Sequence, residues 1–228
     1  MLAAVVLLAQ SCYVRINGKR LNLSTGGVED SAVVLRDGTL PSGLDEIALT
    51  ASFDVQFIQS DECRYEVSAP ENRQEYIELA VEDNRLVIRT KEQEGVVWFG
   101  SEPVVIRVWM PVLNRVSVTG SGDFSAPSIQ SGPFHLVVTG SGDVSVEKLA
   151  VRSLSTSLTG SGDITVKGLE TGELVASVTG SGDIYLSGKA DHAYLSVSGS
   201  GDIHARNLVC PSVENRITGS GDIALPGK

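Results

Sequence analysis

Val118-Thr119-Gly120-Ser121-Gly122-Asp123-Phe124 decides the fold, because its centre, Gly-Ser-Gly-Asp, returns at 140–143, 160–163, 180–183, 199–202 and 219–222. The intervals are 20, 20, 20, 19 and 20 residues, the signature of one small unit stacked on itself. Two positions before each first glycine stand Val118, Val138, Leu158, Val178, Val197 and Ile217, and directly after each aspartate stand Phe124, Val144, Ile164, Ile184, Ile203 and Ile223. Apolar residues alternate with polar ones on both sides of the motif, so each unit carries short strands with one inward face, joined at a glycine corner. Glycine suits that corner because a Cβ would obstruct a sharp bend or a close backbone approach.

A 20-residue unit cannot bury its inner face alone, but units stacked about 4.8 Å apart can. The expected fold is all-β: a right-handed parallel β-helix, or β-solenoid, with coils of about 20 residues. The one 19-residue interval fits, since the missing residue falls in the variable segment around 187–192 and leaves the motif intact. Working outward, residues 116–228 form the six-motif array and 40–115 its irregular first coils, with strands expected around 44–67, 76–90, 104–110 and 113–119. Residues 13–39, poor in periodicity, read as a tether, and helix content should be very low.

Residues 1–12, MLAAVVLLAQSC, read as a leader. The apolar run is too short to span a bilayer, and small residues before Cys12 match the place where bacterial lipoprotein precursors are cleaved and acylated. A plain secretory signal and a buried first strand are the alternatives. A lipidated Cys12 would make the anchor the chain's one route to a membrane, at the outer membrane, in the periplasm or at the cell surface. Cys63 and Cys210 are then left as a pair or, more simply, as two buried free thiols.

The 228 residues carry 18 Lys and Arg against 28 Asp and Glu, a formal net charge of −10 with no basic cluster, which disfavours nucleic acid as a partner. The acidic column Asp123, Asp143, Asp163, Asp183, Asp202 and Asp222 needs compensation, because carboxylates about 5 Å apart repel by roughly 1 kcal/mol in water and about 3 kcal/mol at an effective dielectric near 20. Hydrogen bonds from backbone N–H groups of the glycine corner or from the neighbouring serines would supply it. A calcium column is the sharper alternative, though one carboxylate per coil is a thin ligand set. No other cofactor is indicated.

Beside it runs a hydroxyl column, Thr119, Thr139, Thr159, Thr179, Ser198 and Thr218, which serves strand packing and offers a regular face to a glycan or an envelope or host-surface protein. Trp98 and Phe99, flanked by Gly95 and Gly100, form a candidate interaction patch, whereas Trp109 lies in an alternating stretch and should pack between the first coils and the array. His135, His192 and His204 occupy unrelated repeat positions and read as solvent-facing. Catalysis would need two carboxylates in unlike surroundings, which identical rungs do not provide.

The V-x-G-S-G-D-[IV] units, together with the upstream stretch GLDEIALTASFDVQFIQSDECRYEVSAPENRQEYIELAVEDNRLVIRT, resemble the putative auto-transporter adhesin family with a head GIN domain, over roughly Leu44 to Leu225. The resemblance implies a secreted β-solenoid of the bacterial envelope, often a lipoprotein in Bacteroidetes-type bacteria. It supplies no catalytic residues. The expected function is a non-enzymatic surface or periplasmic binding module; the alternatives are a carbohydrate-active β-helix enzyme of lyase or hydrolase type and a lipid-binding envelope protein.

Overall fold

The computed structural model describes the strands at 13–16, 19–22 and 27–28, and residues 31–91 and 102–227. It is a β-solenoid in which parallel strands stack on three faces. The first face carries the strands that lead into the glycine corner: 115–120, 135–140, 155–160, 175–180, 194–199 and 214–219, each in register with the next. The second carries the short strands that leave it: 124–126, 144–146, 164–166, 184–186, 203–204 and 223–224. The third carries 129–131, 149–151, 169–171, 188–190 and 207–209.

The apolar alternation sets these faces. Val118, Val138, Leu158, Val178 and Val197 are buried in one column, as are Phe124, Val144, Ile164, Ile184 and Ile203 in another. Residues between them point outward, so the whole interior is a stack of aliphatic ladders with Phe57, Phe124 and Phe134 among the largest fully buried side chains. The only helical turn among the described residues is the 3-10 segment Glu71–Tyr76.

The first coils do not stack in chain order. Glu46–Leu49 and Asp54–Gln59 form one coil that lies between two others: residues 115–118 and 124–125 pair on one side of it, residues 85–88 and 105–110 on the other. The parallel winding thus starts at an inner coil, steps outward to lay down the end coil, then returns past that first coil to wind the repeats. That end is covered by antiparallel additions, Ile77–Glu82 on Arg85–Thr90 and Arg64–Pro70 on Val105–Met110. Val33–Thr39 pairs antiparallel with Arg64–Pro70, so the later part of the segment expected as a tether is a strand of the main sheet. The Arg36 guanidinium, donating to the Gln74 and Ile77 carbonyls, helps hold it there. Tyr13–Ile16, Lys19–Asn22 and Gly27–Val28 also pair, as a separate antiparallel sheet, so that part too carries strand where a tether was expected.

Candidate functional site

The motif builds a corner that repeats its own hydrogen bonds. From the second motif onward the N–H groups of the motif serine and second glycine both donate to the first glycine's carbonyl in the coil before, as Ser141 and Gly142 do to Gly120 at 2.8 and 3.1 Å. The backbones lie so close that a Cβ on Gly142 would sit well under 3.0 Å from the Gly122 carbonyl oxygen. At Gly140 the φ of 130° adds a conformation that L side chains rarely adopt.

The aspartate column is part of the same ladder. One carboxylate oxygen of Asp123 accepts the backbone N–H of Asp143 at 2.9 Å, and the pattern repeats from Asp163 to Asp143, Asp183 to Asp163, Asp202 to Asp183 and Asp222 to Asp202 at 2.7–2.9 Å. The donor is the next aspartate's own amide, rather than a corner glycine or serine. The column also extends one coil further than the motif count suggests. Thr50-Ala51-Ser52-Phe53-Asp54 occupies the Thr-Gly-Ser-Gly-Asp place in the inner first coil, with Val118 paired to Leu49 and Phe124 to Val55. Burial and the neighbouring Asp123 charge push the Asp54 carboxyl above the usual aspartate range, partly offset by its hydrogen bond to the Asp123 backbone. Asp54, Asp123 and Asp143 line a shallow hollow with Gln56, Ser125 and Ser145.

Thr119, Thr139, Thr159, Thr179, Ser198 and Thr218 are all exposed and in register along the first face, an outward hydroxyl row as expected. Trp98, Phe99 and Cys12 lie outside the described residues. Trp109 faces outward and half-buried rather than into the packing between first coils and array, its ring capped by the Arg64 guanidinium 3.5 Å away. Cys63 and Cys210 are free thiols, half-buried rather than buried.

A concave site occurs where the periodicity fails. The short coil aligns Val166 with Leu186 and Leu169 with Gly188, so Ser187 alone stands opposite Lys167 and Gly168; on its other side, Tyr185 aligns with His204 and Ser187 with Asn207. The one-residue deletion shifts the register of this corner against both neighbours. Gly188 also replaces the aliphatic residue found at Ile129, Leu149, Leu169 and Leu208 in that column. The result is an open notch of about 500 Å³ lined from three successive coils: Thr165 and Lys167, then Tyr185 and Ser187, then His204 and Arg206 with Asn207 beside it.

An aromatic pair forms one wall of this notch. The Tyr185 and His204 rings stack with centroids 4.6 Å apart and planes 16° apart. The Tyr185 hydroxyl donates to Asp183 Oδ2 at 3.1 Å, and burial, that hydrogen bond and the charges of Asp183, Asp163 and Asp202 raise its pKa, so the hydroxyl stays protonated. His204 Nε2 lies 3.6 Å from the same Asp183 oxygen. Asp183, Asp202 and His204 each offer a ligand atom within 4.8 Å of the others, the one such cluster among the described residues. Lys167 is held by Glu147 at 2.9 Å, whereas Arg206 is exposed. Tyr185 carries no repeat signature and His204 reads as merely solvent-facing in the sequence; the 19-residue interval was the signal that this corner differs.

Residues 43–169 and 148–226 match the sequence profile described as putative auto-transporter adhesin, head GIN domain. A putative adhesin from Parabacteroides distasonis superposes with a TM-score of 0.76 at 22% identity, covering 87% of this chain and 84% of that one. A putative adhesin from Parabacteroides merdae gives 0.75 at 19% identity, covering 88% and 99%. A protein from Parabacteroides distasonis described as a putative lipid binding protein gives 0.71 at 23% identity, covering 87% and 98%. These likenesses establish the fold. No curated protein matches the chain.

Proposed function

This chain belongs to the putative auto-transporter adhesin family with a head GIN domain, and we propose that it is a non-enzymatic binding module of the bacterial cell envelope, exported and anchored through Cys12, which takes a glycan in the notch at Tyr185. The stacked Tyr185–His204 pair carries the reading. An exposed, pinned aromatic face flanked by hydroxyl, amide and guanidinium groups suits a ligand with an apolar ring face and polar edges, as a sugar has. The outward threonine row adds weak, repeated contacts along a longer chain.

The test is a glycan array followed by titration calorimetry on the best hit. Tyr185→Ser and Arg206→Ala should each weaken binding at least tenfold while leaving the melting temperature within about 2 °C, and Thr159→Val should have a smaller effect. If no glycan binds, or if binding survives Tyr185→Ser, the notch is not a sugar site; capture of an envelope protein that Tyr185→Ser abolishes would reassign it to protein recognition. Mass spectrometry of the mature chain for acyl-Cys12 tests the anchor.

One observation favours the carbohydrate-active alternative: Asp54 and Asp123 share a hollow, and Asp54 is shifted upward. Polysaccharide cleavage that disappears in Asp54→Asn and in Asp123→Asn would establish it.

A further inference from the structure

The two ends of the solenoid are finished differently. The end made by residues 85–90 and 105–110 is covered by antiparallel strands, whereas at the other end Ser212–Gly219 pairs with the preceding coil along one edge and has no partner along the other among the described residues. Its inward column there is uncovered: Ile217 is 44% exposed, where its counterpart one coil earlier, Val197, is 2% exposed. An open strand edge with exposed apolar side chains is a template for another strand, and the sequence of this strand specifies which one.

Paired antiparallel with a second copy of itself about Asn215, the strand Ser-Val-Glu-Asn-Arg-Ile-Thr-Gly sets Glu214 opposite Arg216, Val213 opposite Ile217 and Ser212 opposite Thr218, each pair occurring twice. Residues directly opposite in an antiparallel pair project to the same side, so the acid meets the base outside and the two aliphatics meet inside. Neither Glu214 nor Arg216 has an ion pair within its own chain among the described residues. Asn215 stands in the column of Leu136, Thr156, Ala176 and Leu195 and falls on the two-fold axis, where two amides can hydrogen-bond to each other. The winding of the coil agrees. The last strand of the second face, Ile223–Ala224, follows Ser212–Gly219 and the last strand of the third face precedes it, so one stands a step above and the other a step below. A two-fold axis through Asn215 brings the high side of one copy over the low side of the other.

We infer that this end is an isologous dimer interface, through which two copies join end to end by antiparallel pairing of their 212–219 strands. The inference is independent of the glycan reading. Light scattering on the full chain across a hundredfold concentration range should show a monomer–dimer equilibrium. Glu214→Arg alone and Arg216→Glu alone should each weaken dimerisation at least tenfold, since each sets like charges opposite one another twice. The double variant Glu214→Arg/Arg216→Glu restores opposite charges and should recover dimerisation to within about threefold of the parent chain. Circular dichroism should show all three folded, and Asn215→Cys in a background lacking the native cysteines should form a disulfide-linked dimer on oxidation. A chain that stays monomeric throughout, or a dimer indifferent to the single reversals, would overturn the inference.

Discussion

One methyl group separates tolerated from disruptive at the corner glycines. A Cβ on Gly142 collides with the Gly122 carbonyl oxygen, and backbone cannot swing aside as a side-chain tip can; Gly132, whose nearest neighbour is the Arg152 guanidinium at 3.8 Å, has room. Gly142→Ala should cost about 3 kcal/mol or more, and Gly132→Ala should stay within about 0.5 kcal/mol, by urea unfolding. Asp54 gives a test with a sign. Its raised pKa means the folded state holds that proton more tightly than the unfolded chain, so its contribution favours folding in acid and is lost as pH rises through the raised value. Asp54→Asn keeps an oxygen for the Asp123 amide and removes the charge, so it should raise the melting temperature at pH 7 and lose that advantage as pH falls below the ordinary aspartate range. The role of glycine was legible in the sequence because the motif was perfect; Asp54 was not, because Ala51 and Phe53 stand where the glycines stand and only strand register reveals the equivalence.

On the first face, the inward column Leu136, Thr156, Ala176 and Leu195 contains one hydroxyl that is buried and makes no hydrogen bond. Thr156→Val keeps the branched shape and removes the stranded oxygen, so it should stabilise the protein by about 1 kcal/mol, read as a shift in the urea midpoint with unchanged slope. The strands themselves were legible, because period-two alternation names both their existence and their inward side. Two elements escaped. Val33–Thr39 leaves Val33 and Leu35 exposed, so no buried face marked it in advance. The notch depends on one missing residue, whose consequence appears only when Tyr185 and Ser187 are set between coils that kept theirs.

In the whole molecule each coil touches only its neighbours, so damage should stay local at an end and spread from the middle. Truncation after Val209 should leave a folded β-solenoid with a lower melting temperature, whereas excising residues 46–59 should abolish cooperative unfolding, since it removes the coil that joins the end coil to the repeats; circular dichroism distinguishes the two. The stacking order of the first coils was beyond the sequence, because nothing in residues 40–115 marks which coil lies outermost. That order also bears on biogenesis. As the polypeptide emerges, residues 46–59 present two bare strand edges: one waits for residues 85–88 and 105–110, the other for residues 115–118 and 124–125. More than half the chain must be available before this inner coil is sealed, a delay during which its bare edges are open to mispairing with other strands.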